Sequence, residues 1–247
     1  MTQKNKAVLI TGATSGIGES LVSKFIQEGY FVLGIARSAE KLKELQSKQA
    51  NFVGLNFDIT KKDSWSEIVK EVESIGKIPS IIILNAGTCE YMDKGDIDEE
   101  LVRRVFEVNF FANVIGAKVL LKSWRTQLSS FVVTSSSAYF FPLPRAEAYG
   151  ASKAALSYFF RTLRLSHPEI VFTIAHPGFV ETPLTDKNDF SMPMKLTADK
   201  AASTMYSSII KGRRKSDFPW FFIFMLKLLG MLPDALQYRI GSKLVRK

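Results

Sequence analysis

Short apolar runs and longer amphipathic stretches alternate along most of the chain. The runs are residues 7–10, 30–35, 51–56, 80–84, 130–134 and 170–175. They are rich in β-branched residues and almost all are apolar along their length, the pattern of strands covered on both faces. Between them, residues 19–28, 39–47, 64–74 and 99–122 repeat apolar positions at helical spacing. Strand, helix, strand repeated in this way predicts an α/β fold: a doubly wound parallel sheet with right-handed crossovers and helices on both faces. At 247 residues, 46% hydrophobic, a single domain over 1–247 is the default. Ligands of such sheets bind beyond the carboxyl ends of the strands, so those ends carry the candidate chemistry.

The first run ends in the turn Thr11–Gly18, which holds Gly12, Gly16 and Gly18 with Thr14, Ser15 and Ile17 between them. Glycines let a backbone turn sharply and approach a diphosphate, and a helix beginning near Glu19 offers free N–H groups and a partial positive charge. The G-x-x-x-G-x-G spacing departs from the usual dinucleotide fingerprint, but its place at the first strand-to-helix turn supports the reading. After the second run, where many dinucleotide folds place an acid for the ribose 2′-hydroxyl, stand Ala36 and Arg37. A guanidinium pairs with a 2′-phosphate that a carboxylate would repel, so NADP(H) is preferred over NAD(H); the plain alternative is an arginine on a surface turn. The third run delivers Asp58 and Ile59, and the fourth Asn85, Ala86 and Gly87, small or hydrogen-bonding residues able to meet an adenine and its ribose.

The fifth run leads into Ser136, and thirteen residues later comes Tyr149, followed by Lys153. On a helix these last two share a face, which brings an ammonium toward a phenol. A free tyrosine has a pKa of about 10, and a neighbouring cation favours the phenolate. Tyr149 then serves as a general acid/base for a carbonyl or alcohol oxygen, with Ser136 as a hydrogen-bond donor to the same oxygen. A surface tyrosine and lysine would be the simpler reading of the pair in isolation.

Thr11–Gly18, Asn85–Gly87, Asn109, Ser136, Tyr149–Lys153 and Pro177–Gly178 occur in the order and spacing of the short-chain dehydrogenases/reductases, and the chain resembles that family strongly from about Lys6 to Pro177. The resemblance implies a Rossmann-type sheet and a catalytic set of Asn109, Ser136, Tyr149 and Lys153. In it Lys153 also contacts the nicotinamide ribose, and Asn109 bends its helix and holds a water of the proton relay. It further implies that Gly12, Gly16 and Gly18 cradle the diphosphate, that Asp58 and Asn85 flank the adenosine, and that Pro177, Gly178, Val180 and Thr182 lie against the nicotinamide. Arg37 matches the basic position of NADP-preferring members. Leu84 stands where the family often has a further asparagine.

Substrate shape in that family comes from the segment after the serine and the loop after Pro-Gly. Here these are residues 138–144 and a substrate loop at about 180–196, carrying Leu184, Phe190, Met192, Met194 and Leu196. Such residues suit an apolar small-molecule carbonyl or alcohol, fatty, steroid-like or aromatic, better than a sugar, although some of them could simply cover the core.

The net charge of +9 sits mostly in the tail: residues 1–210 hold 24 basic and 22 acidic side chains, the last 37 hold 9 basic ones and only Asp217 and Asp234. No basic face with interleaved aromatics is visible, so no nucleic-acid partner is expected. The apolar, basic extension at about 216–247 includes a sixteen-residue aromatic stretch, 218–233, too short for a membrane span of about 20 residues. It either packs over the pocket or a subunit interface of a homodimer or homotetramer, or makes peripheral contact with an anionic membrane surface. Cys89, alone, cannot form an internal disulfide and reads as a small core residue in a reducing compartment. His167 and His176, each before a proline, read as loop residues, and no metal site is expected. The N-terminus lacks the long apolar region of a secretory signal, which predicts a cytoplasmic protein beginning at or near Met1, membrane-associated only if the tail docks. The expected function is an NADP(H)-dependent oxidoreductase interconverting a carbonyl and a secondary alcohol. Its rivals are a non-catalytic NADP-binding protein and an isomerase or dehydratase on the same fold.

Overall fold

The computed structural model describes residues 6–92, 95–186 and 188–244. Seven strands, β1 (Ala7–Thr11), β2 (Phe31–Ala36), β3 (Phe52–Asn56), β4 (Pro79–Leu84), β5 (Ser130–Thr134), β6 (Val171–Pro177) and β7 (Lys215–Phe218), form one sheet in the order β3-β2-β1-β4-β5-β6-β7. Every neighbouring pair is parallel. The order reverses direction between β1 and β4, which opens a crevice at their carboxyl ends, as in Rossmann-type sheets.

Side chains of one strand alternate between two cores. Leu9, Leu33, Ile82 and Phe131 meet α3 (Ser64–Ile75), α5 (Ala112–Trp124) and α6 (Glu147–Leu163) through Trp65, Ile68, Leu120, Trp124 and Phe160. Val8, Ile10, Val32 and Ile83 point the other way, to Leu21, Phe25, Leu42 and Met205 of α1 (Gly16–Gln27), α2 (Ala39–Lys48) and α7 (Ala198–Ile210). Burial on both faces is why the runs read as continuously apolar. Gly116 on α5 and Gly34 on β2 leave room for rings: a Cβ at Gly116 would sit 2.5 Å from Trp65, and one at Gly34 would sit 2.4 Å from Phe52.

The six expected strands are present within a residue or two, and the structure departs from the sequence reading in four places. Helix α1 begins at Gly16 rather than near Glu19, so the last two glycines of the turn form its first turn. The stretch 99–122 is divided into α4 (Glu99–Phe106) and α5 by a π-helical turn at Glu107–Phe111 around Asn109. A seventh strand, β7, is added at the edge through the register Ile174↔Lys215 to Pro177↔Phe218; at four residues with two charges it has no strand periodicity to read. His176, expected in a loop, lies within β6 and is buried at 2% exposure, because pairing with β7 carries the strand on through Pro177. His167 does sit in a connection, before β6. After β7 and a cis Phe218–Pro219 bond, the aromatic stretch forms α8 (Trp220–Gly230), followed by α9 (Asp234–Leu244).

Candidate active site

The first wall of the crevice is the β1–α1 turn. Gly12 and Gly16 have φ of 68° and 54°, a left-handed conformation that side chains resist. A Cβ on Gly16 would also press to 2.7 Å from Thr182, and one on Gly18 would fall 2.0 Å from the Gly12 carbonyl oxygen. The spacing of the three glycines is therefore a packing requirement that brings the start of α1 against its own turn. Ser15, the N-cap of α1, makes no side-chain capping bond, so the first N–H groups of the helix remain available. An open cradle of backbone donors at a helix N-terminus fits the diphosphate of a dinucleotide.

Thr11 locks this turn to β4. Its Oγ1 accepts the N–H groups of Asn85 at 2.9 Å and Ala86 at 3.0 Å, while Asn85 Nδ2 donates to the Thr11 carbonyl at 3.2 Å. Thr134 Oγ1 in turn donates to Asn85 Oδ1 at 3.2 Å. Asn85, Ala86 and Gly87 thus line the same cleft as Gly12, Ser15 and Ile17. Thr14, in the same turn, is half-buried and is not among the residues that line this cleft. Farther out, Arg37 is exposed at the end of β2. Asp58 accepts from the N–H and the hydroxyl of Thr60 at 3.0 and 2.7 Å, with Ile59 buried beside it. Burial would raise the Asp58 carboxyl, but the Thr60 bonds and the charges of Arg37 and Lys61 hold it below the usual range.

The opposite wall comes from β5, α6 and the turn after β6. Ser136 Oγ accepts the Ala138 N–H at 3.1 Å, which leaves its own O–H free to donate toward the cleft and the nearby Tyr149 phenol. Lys153 is buried at 3% exposure, donates from Nζ to the Thr134 carbonyl at 2.8 Å, and stands 5.8 Å from the centre of the Tyr149 ring. Gly87 keeps this corner open, since a Cβ there would lie 3.2 Å from Lys153 Nζ and 3.1 Å from Asn109 Oδ1. Burial lowers the Lys153 ammonium from its ordinary 10.5 to about 8, against the opposing charge of Cys89. Burial likewise raises the Tyr149 phenol, reinforced by Cys89 and opposed by the Ser136 hydrogen bond. The expectation that Lys153 would draw Tyr149 toward phenolate is thus not met: desolvation acts on both partners and shifts both toward their neutral forms.

Asn109 is fully buried in the π turn. Its Oδ1 accepts from the Thr88 N–H at 2.8 Å and its Nδ2 donates to the Thr88 carbonyl at 2.9 Å and to Ser152 Oγ at 3.0 Å. Carbonyls displaced by the π turn are met by Asn113, whose Nδ2 donates to Val108 O at 3.2 Å and Asn109 O at 2.9 Å. The π turn and the tie from the β4 loop to α6 are one construction.

Pro177, Gly178, Val180 and Thr182 close the cleft, with the Gly178 N–H held by Phe218 O at 2.7 Å. Beyond them an aromatic chain runs from Tyr91 to Phe190 (ring centres 5.7 Å apart), Phe179 (6.0 Å) and Phe222 of α8 (5.6 Å). Cys89, read as a core residue, is instead half-buried and close enough to Tyr149 and Tyr91 to affect both. Sequence reasoning missed Thr11, Thr88, Thr134 and Ser152, which act by holding named site residues, and Tyr91, which comes from a distant segment; Phe222 belongs to the aromatic stretch 218–233, for which packing over the pocket was one of the expected alternatives. Thr11 and Ser152 lie inside motifs that were legible; the other missed residues carry no signal of their own. Among the described residues no group of acidic, histidine or cysteine side chains could hold a metal ion.

Residues 6–191 match the family described as short chain dehydrogenase. The 11-beta-hydroxysteroid dehydrogenase A of Sesamum indicum is 30% identical over 241 residues, spanning 87% of this chain and 69% of that protein. An uncharacterized oxidoreductase of Myxococcus xanthus is 29% identical over 242 residues, spanning 94% of each. Among solved structures, an alcohol dehydrogenase from the archaeon Thermococcus sibiricus, complexed with 5-hydroxy-NADP, is similar at a TM-score of 0.76 and 25% identity, over 86% of this chain and 94% of that one. The chain belongs to the short chain dehydrogenases, oxidoreductases that work with a nicotinamide dinucleotide.

Proposed function

We propose that the protein is an NADP(H)-dependent oxidoreductase that interconverts an apolar carbonyl compound and its secondary alcohol. The observation that carries this reading is the meeting of the Tyr149 phenol, the Ser136 hydroxyl and the Lys153 ammonium at one end of the cleft that begins at the Gly12–Gly16 cradle.

When bound, NADPH would supply the hydride that reduces the carbonyl carbon. Tyr149 gives its proton to the carbonyl oxygen, and the Ser136 hydroxyl, which accepts from Ala138 N–H and keeps its own proton free, donates a hydrogen bond to that oxygen. Lys153, fixed by Thr134 O, lies over one side of the Tyr149 ring, where its charge opposes the cost of leaving a phenolate behind. Asn109 holds α6 and the β4 loop in register through Ser152 and Thr88, so the three reacting groups keep their spacing. Gly12, Gly16, Gly18 and the start of α1 would hold the diphosphate, Asp58, Ile59, Asn85 and Ala86 the adenosine, and Pro177, Gly178, Val180 and Thr182 the nicotinamide.

Preference for NADP(H) rests on Arg37, an exposed guanidinium where no carboxylate stands at the end of β2. An apolar substrate fits the ring chain Tyr91–Phe190–Phe179–Phe222 beside the catalytic end. Exposed Phe111, Ile115 and Tyr158 on the outer helices favour a homo-oligomer, which size-exclusion with light scattering reads directly. The test of the reaction is NADPH oxidation, with NADH beside it, over medium-chain, steroidal and aromatic ketones. Turnover with NADPH preferred, and lost in Tyr149→Phe, is the expected result. Equal rates for parent and Tyr149→Phe would overturn the mechanism, and equal use of NADH would overturn the role of Arg37.

A further inference from the structure

Helix α8 has two apolar faces, and only one of them is used. At about 100° per residue, Phe222, Ile223 and Leu226 turn inward: Ile223 is 1% and Leu226 6% exposed, and Phe222 rests on Phe179 and close to Gly178. Lys227, on the border, is bound to Asp217, which also holds His176 Nδ1 at 2.7 Å, so the helix is pinned to the sheet. The outer arc is Trp220, Phe221, Phe224, Met225 and Leu228, continued by Met231 just past the end. These side chains are 41% to 82% exposed, and none of them is polar. Five successive outward positions without a charge are far outside the single exposed hydrophobics that any soluble surface carries.

The charge of the same segment indicates what covers this arc. Asp217 is internal, committed to His176 and Lys227. Of the charges after residue 210, that leaves eight basic side chains, Lys227 aside, against Asp234 alone, or +7 of the molecule's +9. Lys211, Arg213, Arg214, Lys215, Arg239 and Lys243 are all exposed. A second copy seated on the arc would bring two such segments together and meet like charge with like. A surface that is apolar within and anionic without complements both features.

We infer that α8 docks this protein on an anionic lipid surface, with Trp220, Phe221, Phe224, Met225 and Leu228 in the interface and the tail's lysines and arginines among the headgroups. The helix lies in the surface and does not cross it: eleven residues span about 16 Å against a hydrocarbon core of about 30 Å, and among the described residues no helix is long and apolar enough to cross. Phe222, on the inner face of the same helix, packs on Phe179 and lies by Gly178, which lines the cleft, so docking brings that side of the cleft next to the lipid.

The experiment is flotation of the full chain with phosphatidylcholine vesicles and with phosphatidylcholine–phosphatidylglycerol vesicles. It is read without cofactor or substrate, so its outcome is independent of NADPH turnover. The parent is expected to float with the anionic vesicles and to remain at the bottom with the neutral ones. Phe224→Glu with Leu228→Glu is expected to reduce the bound fraction about tenfold or more, with an unchanged melting curve. Arg239→Glu with Lys243→Glu, which leaves the apolar arc intact, is expected to shift binding to lower salt. A parent that stays at the bottom with anionic vesicles overturns the inference. So does a Phe224→Glu/Leu228→Glu protein that floats like the parent, or one that no longer self-associates while the parent never floated, which would assign the arc to a second copy. If that double variant melts early, the charge-reversal pair decides: flotation indifferent to it and to salt overturns the lipid assignment.

Discussion

Lys153→Met separates the catalytic value of the buried ammonium from its effect on stability. Lys153 is 3% exposed and its pKa falls from 10.5 to about 8 because burial removes water from the charge. At about 1.4 kcal/mol per pH unit, that fall corresponds to about 3 kcal/mol against the folded state at pH 7. Between about 8 and 10.5 the unfolded chain holds this proton more firmly than the folded one, so the group's penalty is complete below that window and fades as pH rises through it. Methionine removes the penalty and also the 2.8 Å bond to Thr134 O, which leaves a buried carbonyl short of a donor at about 1–3 kcal/mol, the same at every pH. Comparing the two proteins at pH 7 and pH 10 therefore isolates the charge. Urea unfolding followed through buried Trp65 and Trp124 should show the advantage of the variant over the parent shrinking by about 2 kcal/mol from pH 7 to pH 10, while its turnover is lost. A difference that is the same at both pH values would refute the buried-cation argument.

Tyr149→Phe should lose about a hundredfold or more in turnover and bind NADPH within a few-fold of the parent by calorimetry, since the nucleotide cradle is built from other residues. Arg37→Glu should raise the KM for NADPH about ten- to a hundredfold and leave that for NADH nearly unchanged, which steady-state kinetics with both cofactors reads. Gly18→Ala forces a Cβ to 2.0 Å from the Gly12 carbonyl, backbone that cannot yield, and should weaken NADPH binding and lower the melting temperature together. Asp217→Asn removes a carboxyl that burial would raise but that His176 and Lys227 hold below its usual range. The stability this gives is present above the ordinary aspartate pKa and is lost on acidification, so the melting-temperature gap between parent and variant should be several degrees at pH 7 and close toward pH 3.

The strands, the α/β alternation and the ends that carry the site follow from local chemistry. β1 and β5 are buried at every position because both faces are covered, and the apolar runs Ala7–Ile10 and Phe131–Val133 record that in one dimension. Gly12, Gly16, Tyr149 and Lys153 are also legible, because a turn and a helical spacing are properties of neighbouring residues. Other features depend on segments that are distant in the chain. β7 becomes a strand only because β6 offers it a partner, and that pairing turns His176 from a loop residue into a buried one tied to Asp217, 41 positions on. The π turn at Asn109 is stabilised by Asn113, Thr88 and Ser152. The directions of the Lys153 and Tyr149 shifts are set by enclosure, which spacing does not encode. In the tail, composition alone marks an apolar and basic segment; only packing on Phe179, Asp217 and the sheet edge decides which face of α8 is left outward.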